Sequence, residues 1–155
     1  MIKIISGGQT GVDRIGLEEA RDAGFETGGT APKGFLTENG PDPSLKDFGL
    51  VESNSARYTP RTVQNIKDSD GTVVFGNVHS IGSKSTIEWC VYHEKPCIQN
   101  PEPQKLINWI KEENIKILNI AGNRASRLTI LDARHIRLSI RTTLEILKLR
   151  QLKEV

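Results

Sequence analysis

The amino-acid sequence predicts a doubly wound α/β fold, with an open, mainly parallel sheet of five strands and helices on both faces. Short runs rich in isoleucine and valine alternate with longer stretches whose apolar residues have helical spacing. A parallel connection needs a crossover long enough to hold a helix, so this alternation favours a parallel sheet. A chain of 155 residues without repeats or a linker fits one domain, and we expect a single domain over residues 1–155.

Five segments are predicted strands because they are short, rich in β-branched or aromatic residues and flanked by turn residues. They are KIIS near the N-terminus, a short segment at 25–27, TVVFG at 72–76, PCIQ at 96–99 and KILNIA at 116–121.

Five helices are predicted between and after these strands. Gly24 ends the first helix, as glycine commonly does at a helix C-terminus. Thr59 and Pro60 begin the second as an N-cap hydroxyl followed by proline, and the third is expected to begin near Ser85. The helices cover residues 12–23, 59–68, 85–94, 103–113 and 128–152.

The segment at residues 28–58 departs from this alternation. It is rich in turn residues and poor in apolar ones, and it is too long to be a simple connection. We therefore expect a long loop that is either functional or mobile.

Composition and charge exclude several classes of protein. The 21 basic and 19 acidic residues give a net charge of +2, which does not indicate a nucleic-acid-binding surface. Hydrophobic residues make up 36% of the chain, so we expect neither disorder nor a membrane protein. The chain begins directly with a strand pattern rather than a signal sequence, which predicts a cytoplasmic location. Cys90 and Cys97 fit neither a CxxC pair nor a zinc set, so we expect two reduced thiols and no metal site.

The stretch SGGQTGVD at residues 6–13 joins the first strand to the first helix. A helix N-terminus has unpaired N–H groups and a partial positive charge, so it favours anions such as phosphate. Glycines here would let the backbone approach an anion closely, and the Thr10 hydroxyl adds a donor. Asp13 is expected to act as a capping or ribose-type acceptor. The alternative is a tight turn without a ligand, and the stretch matches neither GxGxxG nor a P-loop.

Two further loops that follow predicted strands have similar chemistry. The second combines small hydroxylated residues with a helix start, although ordinary N-capping also explains serines there. The third, GNRASR, offers an asparagine and the guanidinium groups of Arg124 and Arg127, which are either phosphate ligands or solvated side chains. All three loops should meet at the carboxyl edge of the sheet, where ligands bind in this class of fold.

Positive charge near these loops would come from Lys33 and Arg61, although an exposed loop lysine is an equally good interpretation of Lys33. Tyr58 beside Arg61 could stack on a flat ring or pack under the loop. We predict no catalytic set. The predicted ligand-binding residues are Gly7, Gly8, Gln9, Thr10, Gly11, Lys33, Arg61, Gly82, Ser83, Ser85, Thr86, Gly122, Asn123 and Arg124.

The C-terminal helix has more apolar surface than one face of a small sheet needs. Either the excess is core packing, or an exposed stripe mediates homo-oligomer formation.

Two stretches carry a family resemblance. SGGQTGVDRIGLEEARDAGFETGG followed by PKG, together with LNIAGNR, resembles the family of putative molybdenum carriers, a circularly permuted branch of the SLOG superfamily of Rossmann-like nucleotide-binding proteins. Where relatives often have an aromatic residue and a cysteine before PKG, this chain has Thr30 and Ala31, so no cysteine role carries over.

The resemblance implies a Rossmann-like sheet with strand order 2-1-5-3-4. It also implies molybdenum cofactor as the ligand, and otherwise a phosphate-bearing nucleotide-like molecule. The implied partners are molybdoenzymes that receive the cofactor. The apolar stripe of the C-terminal helix, and not the resemblance, predicts further copies of the chain as partners, as a dimer or tetramer.

Superfamily relatives also include phosphoribohydrolases that release cytokinin bases. Their PGGxGTxxE motif is similar to GSKSTIEW at residues 82–89, but the glutamate of the motif would fall on Trp89, with Glu88 one place early. A nucleotide phosphoribohydrolase that uses Arg61 and Glu88 is therefore the alternative, and a nucleotide sensor acting with a partner protein is a third possibility.

Overall fold

A parallel six-stranded sheet forms the centre of the computed structural model, which describes residues 1–153. The strands in chain order are β1 (Lys3–Ile5), β2 (Glu26–Ala31), β3 (Leu36–Thr37), β4 (Gly40–Pro41), β5 (Leu50–Glu52), β6 (Gly71–Phe75), β7 (Cys97–Gln99) and β8 (Ile117–Gly122). The sheet order is β5-β2-β1-β8-β6-β7, and every pairing in it is parallel. Strands β3 and β4 form a separate antiparallel hairpin.

Within residues 1–153, five α-helices cover the two faces of the sheet. They are α1 (Val12–Asp22), α2 (Tyr58–Asp68), α3 (Ile81–Tyr92), α4 (Pro103–Glu112) and α5 (Ile130–Lys153). Helix α5 packs against α1 and α4, whereas α2 packs against α3. Helix α2 also lies on β2 and β8, and α3 lies on β6, β7 and β8.

The predicted order of the five predicted strands is confirmed, because 2-1-5-3-4 in their own numbering corresponds to β2-β1-β8-β6-β7 in the structure. The predicted number of strands is wrong. A sixth strand, β5, lies within the segment that we expected to be a loop and pairs with β2 at the edge. Residues Val51 and Glu52 of this three-residue strand are exposed, so the sequence has no buried alternation to mark it.

Two predicted helix starts are also wrong. Helix α3 begins at Ile81 because Ser80 is its N-cap, with Oγ accepting a hydrogen bond from the Ser83 amide at 3.3 Å. Helix α2 begins at Tyr58 after Arg57, and Thr59 lies inside the helix rather than capping it.

The segment at residues 28–58 packs against the domain. It contains the end of β2, two short 3-10 helices, the hairpin and β5. Its apolar side chains bury themselves in a small cluster of six residues: Leu17, Ala31, Phe35, Leu45, Phe48 and Leu50. The expectation of a loop with little apolar content overlooked these residues because their spacing follows neither the helical nor the strand period.

The two faces of the sheet differ in polarity. Leu118 and Ile120 of β8 point into the main core, which fills the space beneath α1, α4 and α5. Successive side chains of a strand alternate between faces, so Asn119 lies on the opposite face, towards α2 and α3. There it is aligned with Thr72 of β6, which is also buried. Within residues 1–153, no helix has the length and apolar character needed to cross a bilayer.

We expect Leu45→Ala to lower the free energy of unfolding by about 2–5 kcal/mol, because it removes a fully buried side chain from the small cluster. Denaturant unfolding followed by circular dichroism measures the change. Val51→Ala, at an exposed position of the same segment, is the control and should change stability by less than about 0.5 kcal/mol. Equally small effects of both variants would contradict the packing of this segment.

Candidate ligand-binding site

A cavity of about 810 Å³ opens at the carboxyl edge of the sheet, between the first turns of α2 and α3. The loops that follow β1, β6 and β8 all contribute to its wall. Its size is within the usual range of roughly 300–1,000 Å³ for small-molecule sites. Ten of the fourteen predicted residues line it: Gly7, Gln9, Arg61, Gly82, Ser83, Ser85, Thr86, Gly122, Asn123 and Arg124.

The other four predicted residues lie outside the wall. Gly8 faces the small cluster, where a Cβ would come within 2.8 Å of Leu45 and Leu50. Thr10 donates to Glu38 at 2.7 Å and accepts from the Ala125 amide at 3.0 Å.

Gly11 packs against the backbone of Asn123 and Arg124, where a Cβ would collide, so it fixes the distance between the first and third loops. Lys33 lies exposed in a 3-10 turn that does not line the cavity. The positions of Gly8, Thr10 and Gly11 give them packing contacts within and between the loops.

An ion pair between helices α1 and α2 borders the cavity. Arg61 Nη1 lies 3.0 Å from Asp13 Oδ2, and both side chains are largely buried. A Cβ on Gly7 would collide with the Arg61 guanidinium, so only glycine leaves room for the arginine to cross the first loop. Arg61 also lies over the ring of Tyr58, with 5.3 Å between the guanidinium carbon and the ring centroid.

Asp13 organises the first loop as well as the pair. Its Oδ2 accepts a hydrogen bond from the Gln9 amide at 3.2 Å. Burial raises the pKa of the Asp13 carboxyl, and the Arg61 guanidinium opposes that shift by favouring the ionised form. Arg61 Nε is buried and has no hydrogen-bond partner within the described residues, so the arginine retains donor capacity.

The N-terminus of α3 forms the second part of the wall. Ser80 is the N-cap, and the amides of Ile81 and Gly82 meet no acceptor in the described part of the chain. These are the first two amides of a helix of 12 residues, where the backbone presents partial positive charge. Thr86 donates its hydroxyl to the Gly82 carbonyl at 3.1 Å, so that hydroxyl is already engaged.

Asn123 fastens the third loop to the second. Its Oδ1 accepts from the Asn77 amide at 2.6 Å, and its Nδ2 donates to the Ser80 hydroxyl at 3.0 Å and the Asn77 carbonyl at 3.2 Å. These contacts occupy the side chain that we predicted as a phosphate ligand. Asn123 is therefore placed to position the α3 cap.

The charged groups of the wall favour an anion. Arg61, Arg124 and Arg127 line the cavity, and Asp13 is its only acidic residue within residues 1–153. Since Asp13 is paired with Arg61, the guanidinium groups of Arg124 and Arg127 and the free amides of α3 remain for a ligand. Arginine and helix N-termini both bind phosphate oxygens well.

Several wall residues escaped the sequence analysis, among them Asn65 and Asn119. Both are almost completely buried, Asn65 in α2 and Asn119 in the central strand β8. For Asn119 the sequence held one signal, because it is a polar residue inside the apolar run KILNIA. The Asn65 side chain accepts from the Thr30 amide at 2.8 Å and donates to the Thr30 carbonyl at 2.9 Å, so it holds α2 against β2.

Other candidates from the sequence lie away from the cavity. Glu88 is exposed on α3 and does not line the wall. Cys90 is buried and Cys97 is half-buried, and both are free thiols. Among residues 1–153, no group of three histidine, cysteine, aspartate or glutamate side chains could hold a metal ion.

The fold defines a Rossmann-like α/β protein with a cavity at the carboxyl edge of its sheet. The model of the circularly permutated YpsA SLOG family matches residues 4–142, and the chain belongs to this family. Its fold is similar to the crystal structure of a protein named "Putative molybdenum carrier protein" from Syntrophus aciditrophicus SB, with 31% identity and a TM-score of 0.80. That match covers 93% of this chain and 94% of the other. No curated protein matches the chain. The family resemblance of SGGQTGVDRIGLEEARDAGFETGG and LNIAGNR is thereby confirmed.

We expect Gly7→Ala to displace Arg61 and leave Asp13 buried without its partner, at a cost of about 1–3 kcal/mol in the free energy of unfolding. Gly82→Ala is the matched control, because a Cβ there meets nothing within 4 Å. It should leave stability unchanged or raise it by up to about 1 kcal/mol, since Gly82 is helical. Denaturant unfolding measures both, and equal stability of the two variants would contradict this account of the ion pair.

Proposed function

We propose that the protein binds and carries a phosphorylated, ring-containing small molecule of the molybdenum cofactor type. The observation that carries the proposal is the cavity, where three loops converge with an excess of positive charge and unpaired helix amides. Family membership and the likeness to a protein named as a molybdenum carrier support the cofactor as the particular ligand. Composition and spacing alone do not specify a pterin.

In this proposal the phosphate binds at the rim of the cavity. Amides of Ile81 and Gly82, the hydroxyls of Ser83 and Ser85, and the Arg124 guanidinium would surround its oxygens. Arg61 would add positive charge to the same site. The other predicted residues of the wall would shape it; they are Gly7, Gln9, Thr86, Gly122 and Asn123. We propose that Gly8, Thr10 and Gly11 act indirectly by holding the first loop, and that Lys33 adds long-range positive charge.

The residues present fit such a cofactor in size and charge. The cavity is large enough for a pterin bearing a phosphate, and arginine and backbone amides complement that phosphate. When bound, the cofactor would hold molybdenum through its own sulfur atoms. The contribution of the chain would be to bind the phosphate and to enclose the ring.

The phosphoribohydrolase alternative is not favoured, because Glu88 lies exposed outside the cavity. Incubation with nucleoside monophosphates separates the two functions. A carrier leaves the glycosidic bond intact, whereas release of free base would favour the enzyme.

Native mass spectrometry of protein purified without oxygen tests the proposal directly. We expect a retained phosphorylated molecule, and we expect the Arg124→Ala/Arg127→Ala double variant to retain at least about 10-fold less, as expected when two charge-assisted contacts are lost. Arg134→Ala, an exposed position of α5 outside the cavity, is the control and should bind as the unaltered chain does. Absence of any retained phosphate compound, together with no binding of added phosphorylated pterin, would contradict the proposal.

We also propose that α5 mediates homo-oligomer formation by pairing with α5 of a second copy. Seven positions spaced alternately by four and three residues form one outward stripe, and four of them are exposed leucines. This is the spacing of a coiled-coil seam, which is complementary to itself. The stripe consists of Leu131, His135, Leu138, Thr142, Glu145, Leu149 and Leu152.

Replacing Leu138 by glutamate should convert the expected dimer or tetramer into monomer, because it removes one of the four leucines that give the seam its apolar contact and adds a second carboxylate to that of Glu145. Light scattering coupled to gel filtration measures the mass. Val91→Glu, at an exposed apolar position on α3, is the control and should not change it. A monomeric unaltered chain at high micromolar concentration would contradict the proposed pairing. Transfer to molybdoenzymes and a cytoplasmic location stay predictions.

A further inference from the structure

The floor of the cavity carries a buried amide in the middle of the sheet. Strand β8 lies between β1 and β6, and its residues Leu118 and Ile120 enter the main core. Asn119 and Ala121 alternate with them and line the cavity on the other face. Asn119 is only 3% exposed, although such a position in a central strand ordinarily holds an apolar residue.

The amide of Asn119 is held at one end and free at the other. The register aligns it with Ile5 of β1 and Thr72 of β6. Its Nδ2 donates to Thr72 Oγ1 at 3.2 Å, and its Oδ1 accepts no side-chain hydrogen bond within residues 1–153. Asn119 lines the cavity, so the Thr72 contact leaves its carbonyl oxygen available to a ligand bound there.

Asn119 lies well below the rim. It precedes the end of β8, Gly122, by three residues, which places it about 10 Å deeper along the strand. The walls at this depth come from the second turns of the flanking helices, with Thr62 and Asn65 on α2 and Thr86 on α3. A ligand whose phosphate binds at the rim would therefore extend its ring between α2 and α3 towards Asn119.

An asparagine amide can pair with a ring that has an N–H donor beside an acceptor atom. Its carbonyl oxygen accepts from the donor while its remaining N–H donates to the acceptor, as in asparagine contacts to base edges. The lactam edge of guanine or of a pterin has this arrangement. A sugar phosphate without a ring does not.

We infer that Asn119 is the residue that recognises the ring of the ligand, through two hydrogen bonds to the lactam edge of a purine or pterin, and that Thr72 fixes the orientation of its amide. This inference rests on the proposed binding of a phosphorylated molecule at the rim. It adds a specificity-determining contact at the opposite end of the cavity from the phosphate.

Calorimetric titration of the full chain with three probes tests the inference: guanosine 5′-monophosphate, a pterin monophosphate and ribose 5-phosphate. Asn119→Leu should weaken binding of both ring-containing probes by at least about 10-fold, the effect of losing one or two hydrogen bonds. It should leave binding of ribose 5-phosphate within about two-fold. Thr72→Val should weaken the ring-containing probes less strongly, because the amide is retained but not fixed.

A second measurement does not depend on the fold of a variant. In the unaltered chain, the side-chain amide resonances of Asn119 should shift on addition of guanosine 5′-monophosphate and not on addition of ribose 5-phosphate.

The outcomes separate this inference from the proposed function. If the unaltered chain binds the ring-containing probes and Asn119→Leu binds them equally well, the inference is overturned and the carrier proposal stands. If ribose 5-phosphate binds as tightly as the ring-containing probes, the ring adds nothing and the inference is likewise overturned. If the unaltered chain binds none of the probes, both are overturned.

Discussion

Parallel pairing of β8 between β1 and β6 is the constraint on which the site depends. Parallel strands place all their carboxyl ends at one edge, and neighbouring strands lie about 4.8 Å apart. The loops after β1, β8 and β6 are therefore adjacent, although more than a hundred residues of sequence separate the loop after β1 from the loop after β8. The Asn123 side chain then joins two of these loops to each other, and Gly11 brings the other against them.

The unequal faces of the sheet explain why a cavity forms here. Beneath α1, α4 and α5 the alternating side chains of β6 and β8 are large and apolar, and they belong to the main core. Beneath α2 and α3 the same strands present Val74 together with Thr72, Asn119 and Ala121, so this face is more polar and its side chains are smaller. The first face supplies the apolar burial that stabilises the fold, so the second can leave room for a ligand. The ion pair of Asp13 with Arg61 borders the cavity. Because Asp13 neutralises Arg61, the net positive charge of the wall is smaller than its three arginines would give.

The sequence predicted the features that depend on local pattern or on the family resemblance. Strand order followed from the resemblance to a permuted family, and the glycine, serine and arginine residues of the three loops identified the cavity edge. Strand β5 and the small cluster around Leu45 were missed, because three-residue strands and irregularly spaced apolar residues have no period to detect. The roles of Asn123 and Asn119 depend on which strands are neighbours and on how side chains pair across them. Such contacts are set by tertiary structure and have no local signal.

A crystal structure of the protein with a bound pterin monophosphate tests the central claim most directly. The account predicts the phosphate within hydrogen-bond distance of the Ile81 and Gly82 amides, with the ring between α2 and α3 above Asn119. A ligand bound elsewhere, or a cavity closed by the protein's own side chains, would contradict it.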